Sequence, residues 1–117
     1  MDIETIREYC LSKKGVTESF PFDEVTLVFK VLEKMFLLTN LDGDFTINVK
    51  CDPEKAIEYR EIYTSVLPGY HMNKKHWNTI LIDGTLPDSL IFSFIDHSYD
   101  QVVKSLPKIR QNELLFL

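Results

Sequence analysis

Between Val25 and Pro53 the chain reverses direction too often to leave many folds open. Three runs rich in β-branched, aromatic and aliphatic residues, Val25–Val31, Met35–Asn40 and Phe45–Lys50, follow one another with short breaks. Leu32-Glu33-Lys34 makes the first break tight, and Asp42-Gly43 in the second is a hairpin signal. Parallel neighbours need a crossover of a dozen residues or more, so these runs must pair antiparallel. In the third run Phe45, Ile47 and Val49 alternate with Thr46, Asn48 and Lys50, which predicts one buried and one wet face.

The flanks read as helices. Residues 2–14 place Ile3, Ile6, Tyr9 and Cys10 on one face, with Asp2 as cap, Glu4 in the first turn and Lys13-Lys14-Gly15 as the stop. Residues 16–24 read as a loop around Phe20-Pro21-Phe22. Asp52-Pro53 opens a helix to about Thr64, with Ala56, Ile57, Arg60 and Tyr63 as its face. Trp77–Ile82 reads as a further strand, with a short extra strand expected near 67–72. Thr85-Leu86-Pro87-Asp88 and Ser98-Tyr99-Asp100-Gln101 resemble capping boxes, so two short helices, 87–96 and 99–106, are expected, the second closed by Pro107. The order α-β-β-β-α-β-α-α with antiparallel hairpins predicts a two-layer α+β domain. One domain over 1–117 is expected, since 117 residues match an ordinary domain that buries a core without disulfide or metal staples.

Charge limits the partners. The formal net charge is −5, with 8 basic and 13 acidic residues in 1–66 and 5 of each in 67–117. Such a chain contacts a polyanion only through a local patch. Cys10 and Cys51 are too far apart in sequence for a CxxC motif and read as ordinary thiols of a reducing compartment. The acidic start and the short apolar run Leu90–Ile95 predict a cytoplasmic protein with no membrane span. The single glycines build no phosphate loop, and His71, His76 and His97 form no HExxH, so no cofactor and no metal are expected. Asp23-Glu24, Asp42/Asp44 and Asp52/Glu54 read as turn and cap residues. Only Tyr70, His71, His76 and Asp83 offer a catalytic grouping, and no reaction class follows from them.

One stretch is dense in binding chemistry. Residues 68–79 hold Tyr70, His71, Asn73, Lys74, Lys75, His76, Trp77 and Asn78 and no acid. Lysines meet phosphates, asparagines bond backbone or base edges, and aromatics stack. The plainer reading makes Lys74-Lys75 a solvated turn and Trp77 a core anchor. Lys104, Lys108 and Arg110, near the expected end of the last helix, form a flanking basic set only if they lie beside Lys74 and Lys75.

Pro68 to Thr79, with Asp83-Gly84, Leu86-Pro87-Asp88, Ser98-Tyr99-Asp100, Val102-Val103 and Leu106-Pro107, resembles the bacterial MmcQ/YjbR family. Lys50-Cys51-Asp52-Pro53-Glu54, Ile6 to Cys10 and Gly15 to Phe22 fit the same pattern. The resemblance implies a secretion-chaperone-like α+β fold, α-β3-α-β2-α, with an antiparallel sheet and helices on one face. Its members are commonly labelled predicted DNA-binding proteins of the double-wing type. The leading expectation is therefore weak, non-specific DNA contact by a monomer. Its contacts are Tyr70, His71, Asn73, Lys74, Lys75, His76 and Asn78, with Lys104, Lys108 and Arg110 beside them, and Trp77, Ser98 and Tyr99 as structural anchors. The alternative is a protein-interaction or chaperone-like domain that receives its partner on the outer sheet face.

Overall fold

A computed structural model describes residues 1–70 and 72–117. Helix α1 (Ile3–Leu11) leads into strand β1 (Val16–Ser19), which pairs with β2 (Thr26–Val31). Strands β3 (Lys34–Asn40) and β4 (Thr46–Lys50) complete a meander. Helix α2 (Pro53–Ile62), β5 (Val66–Pro68), β6 (Trp77–Leu81), α3 (Asp88–Ser105) and α4 (Lys108–Leu114) follow. The strands form one antiparallel sheet in the order β1-β2-β3-β4-β6-β5. Helix α3 packs on β2, β3 and β4, α2 on β5 and α1 on β1. Leu27, Phe29, Val31, Leu37, Ile47, Val49 and Ile80 meet Ile91, Ile95 and Val102 of α3 in one core. The α+β architecture is the expected one.

Several elements differ from the sequence reading. The loop at 16–24 is partly strand, because Val16 to Ser19 pair with Val31 to Val28. Helix α1 stops at Leu11 and α2 at Ile62, where Tyr63 turns extended. Of the face expected on α2, Ala56 is buried but Ile57 is 54% exposed. The two short helices are one helix of 18 residues. Thr85 Oγ1 bonds Asp83 and Ser65 rather than capping α3. Ser98 caps nothing: it is fully buried in mid-helix, where its Oγ donates to the Phe36 carbonyl (2.5 Å) and accepts from the Lys50 N–H (2.8 Å). Pro107 ends α3 but opens α4.

Two local features shape the sheet. Phe29 pairs with Leu37 and Lys30 with Met35, which leaves Phe36 as a bulge. The bulge lets Phe36 join Leu37 in the core, where its ring meets Tyr99 edge-on at 5.5 Å. The Tyr99 hydroxyl donates to the Lys14 carbonyl, tying α3 to the end of α1. Tyr9 and Lys13 add to that tie through Asp96. The β2–β3 turn holds Leu32 at φ 43° and Glu33 at φ 74°, a primed turn made without glycine.

Ser98→Ala strands a buried carbonyl and a buried N–H, so we expect a loss of about 2 kcal/mol or more in urea unfolding; a loss below about 0.5 kcal/mol would mean the bridge carries little. Glu33→Gly removes a side chain from left-handed backbone. It should raise stability by up to about 1 kcal/mol in the same measurement, and a decrease would show that Glu33 contributes more than its backbone strain.

Candidate binding site on the open sheet face

No helix lies on the second face of the sheet. The register defines which residues point there. Thr26, Val28 and Lys30 of β2 stand opposite Asn40, Leu38 and Met35 of β3. Thr46, Asn48 and Lys50 of β4 stand opposite Leu81, Thr79 and Trp77 of β6. Leu67 pairs with Thr79, and Thr17 and Ser19 complete the face. Among the described residues no strand position of this face is acidic; the one carboxylate that reaches its edge is Asp23, bonded to Thr26 Oγ1 at 3.0 Å. The one acid of β1, Glu18, turns to the helix side and pairs with Arg7 at 2.6 Å. In a chain of net charge −5 this is a sharp segregation.

A cleft of about 660 Å³ opens on this face. Leu38, Met35 and Leu67 make its apolar floor and flank, with Thr39, Asn48 and Thr79 among them. Two loops wall it, one through Phe22 and the other through Pro68, Tyr70 and Met72. Phe22 is 63% and Tyr70 71% exposed, unusual for aromatics without a partner surface. The second loop depends on Gly69: a Cβ there would lie 2.8 Å from both Trp77 Cβ and the Trp77 carbonyl oxygen. Its N–H bonds that carbonyl at 2.8 Å, holding β5 and β6 together.

The expected site residues divide. Tyr70 lines the cleft, and His71 lies outside the described residues. Asn73 shapes the loop, accepting from Lys75 N through Oδ1 and from His76 N and Trp77 N through its carbonyl. Lys74 and Lys75 are exposed there, while His76 is half-buried and its carbonyl accepts from Cys51 N. Trp77 is no core anchor: it is half-buried on the open face, across from Lys50. Asn78 is 2% exposed and donates to the Ala56 carbonyl of α2, so its side chain is unavailable to a surface ligand.

The flanking basic set does not gather around Lys74 and Lys75. Lys108 lines a hollow of about 580 Å³ with Lys13, Lys14 and Tyr99. Helix α4 ends against Gly15, beside β1, with β2, β3 and β4 separating it from β6. Arg110 is paired with Glu113 at 2.6 Å. Lys104 belongs with His97, whose charge it opposes together with Lys55. The face instead supplies Lys30 and Lys50, which the sequence reading missed. Their signal was the strand parity, because every acid of 26–50 falls in a turn or off this face.

The buried thiols are poor nucleophiles. Burial pushes Cys10 up to about 12 and Cys51 up to about 11. Among the described residues no three His, Cys, Asp or Glu side chains group as metal ligands, and no helix is long and apolar enough to cross a membrane.

These features define a class: single-sheet α+β proteins with helices on one face and an open second face. The family model for YjbR matches residues 11–101, and this chain belongs to the YjbR family. It is 34% identical to the protein YjbR of Escherichia coli K12, over the full length of both. It is 37% identical to YbdF of E. coli O157:H7, over 95% of this chain and 92% of that one. The crystal structure of Deinococcus radiodurans DR2400, with a DUF419 domain, matches at TM-score 0.90 and 40% identity, covering 96% of this chain and 86% of that one. A Pseudomonas syringae protein matches at TM-score 0.71 and 26% identity, covering 84% of this chain and 96% of that one.

His97 joins the site's underside to α2. Its Nε2 accepts from the Asp52 N–H at 3.1 Å, which only a neutral ring can do. Burial, then the charge of Lys55, holds it below its ordinary 6.5. The unfolded chain therefore takes the proton more readily. The stability from neutral His97 is full above about pH 6.5 and is lost as pH falls through the lower folded value. His97→Gln keeps an acceptor without titrating. Urea midpoints at about pH 7.5 and 5 should then differ less in the variant than in the native chain, and equal differences would remove His97 as the cause.

Proposed function

We propose that the protein works by binding rather than by bond making, and that its partner docks on the open sheet face with an apolar group in the cleft. The observation that carries this reading is the mainly apolar cleft of about 660 Å³ on a face no helix covers. Concavities of this size and character are the usual sites of ligand capture. Among the described residues its lining holds no carboxylate, imidazole, thiol or lysine to move a proton. Of the two roles expected from the sequence, the sheet-face partner is therefore favoured.

A second reading rests on a separate observation. Lys30 and Lys50 stand on the open face, away from its Asp23 end, and the loop of Lys74 and Lys75 leads into Trp77, the cross-strand neighbour of Lys50. A nucleic-acid backbone would meet these lysines, with Trp77 and Tyr70 as stacking surfaces. Asn78, Lys108 and Arg110 have no part in it. Four phosphate contacts give a log–log salt slope of only about −3 to −4.

Nile red titration separates the two. The native protein should bind the dye, and Phe22→Ala with Leu67→Ala, both exposed positions, should weaken binding by about tenfold or more through lost apolar contact. Labelled duplex and single-stranded DNA should bind weakly or not at all at about 50 mM salt. Absent dye binding, together with salt-sensitive DNA binding abolished by Lys74→Glu/Lys75→Glu, overturns the proposal in favour of the nucleic-acid reading.

A further inference from the structure

We infer, on the reading of the cleft as a binding site, that the group it takes is a small amphipathic organic anion whose apolar body rests on Leu38 and Leu67 and whose acceptor oxygens face Asn48 and Lys50. The hydrogen bonds of the floor carry this inference. Thr79 Oγ1 accepts from the Tyr70 N–H at 3.0 Å and donates its proton to Asn48 Oδ1 at 2.6 Å. That bond assigns the Asn48 amide: the oxygen is committed within the protein and the NH2 is left to donate. Asn40 is assigned the same way, its Oδ1 accepting from the Asp42 N–H at 2.8 Å. Both amides line the cleft, and among the described residues neither NH2 meets an acceptor.

Three of the threonine hydroxyls in the lining, those of Thr79, Thr39 and Thr26, have their protons committed. Thr39 donates to the Thr46 carbonyl and Thr26 to Asp23. Among the described residues the amide protons of Asn40 and Asn48, with the Thr46 hydroxyl, are left to meet acceptors. Electrostatics points the same way. Lys30 and Lys50 stand toward the Met35 end of the face, while Asp23 and Asp42 are held in turns at the opposite, Thr26–Asn40 end. A cationic head beside Asn48 meets Lys50 and not a carboxylate, since Asp23 is bonded to Thr26 at the other end of the cleft. A neutral apolar ligand covers the Asn48 amide without giving it an acceptor, which opposes its binding. An anionic head at Asn48 meets its NH2 and the ammonium of Lys50, two residues on along the same face of β4, and charge-assisted bonds are roughly twice as strong as neutral ones. The cleft volume of about 660 Å³ leaves ample room for a ten-carbon chain or a fused aromatic body.

Calorimetry with three probes of one body tests the inference: decanoate, decanol and decylammonium, each titrated into native protein, Asn48→Asp and Lys50→Gln. Asn48→Asp keeps the oxygen that Thr79 bonds and replaces the donor with an acceptor, so the fold should hold. Decanoate should bind about tenfold or more tighter than decanol, equivalent to about 1.4 kcal/mol. Decylammonium should be the weakest. Asn48→Asp should weaken decanoate by about tenfold and leave decanol within about twofold, and Lys50→Gln should weaken decanoate alone. Equal binding of decanol and decanoate, unmoved by Asn48→Asp, overturns the inference and leaves the cleft reading standing. No binding of any of the three overturns both.

Discussion

A single hydroxyl in the middle of α3 sets the position of the main helix on the sheet. Ser98 reaches the Phe36 carbonyl on β3 and the Lys50 N–H on β4 at once. Both groups lie at irregular places, one in the bulge and one at a strand end, where the sheet does not supply partners. An interior serine satisfies them, and in doing so fixes the rotation of α3 over the meander. Tyr99 and Asp96 then tie the same helix to α1. His97, one residue before Ser98, reaches the start of α2. Four successive residues of α3 thus hold the other elements in register.

That arrangement decides where binding can occur. With the helices packed on one side, no helix covers the opposite face, where loops rather than helices bury Val28, Leu38 and Thr79. The loops at Phe22 and at Tyr70 rise over this face and turn a flat sheet into a cleft. The acids of the meander sit in its turns, while the open face carries amides, hydroxyls and lysines. A chain acidic overall thus carries lysines on the open face, a local distribution that the net charge alone conceals.

Much of the fold was legible in the chain. The meander, the Asp52-Pro53 helix start and the wet parity of Phe45–Lys50 are local patterns, and the structure has them. Family membership was legible as well, from Pro68 to Pro107. The errors share a cause. Ser98-x-x-Gln101 has the spacing of a capping box, yet the helix runs through it, because burial against β3 and β4 gave the hydroxyl partners that a cap would otherwise provide. Val16–Ser19 is too short and polar to read as a strand, and it becomes one by pairing with β2. The site was half legible. The Tyr70–Trp77 loop was found, but Phe22, Lys30, Lys50 and the two asparagine donors were not.

What the chain alone determined is the identity and order of its elements, since hairpin spacing, caps and alternation act over a few residues. It also determined that no acid lies between Pro68 and Thr79. Only the tertiary structure decided which face of the sheet stays open, that Asn78 points inward while Thr79 points out, and that Lys108 and Arg110 sit far across the sheet from Lys74. These depend on pairing register and on which side the helices pack. A shift of one residue moves a side chain to the opposite face, and no local pattern specifies that choice.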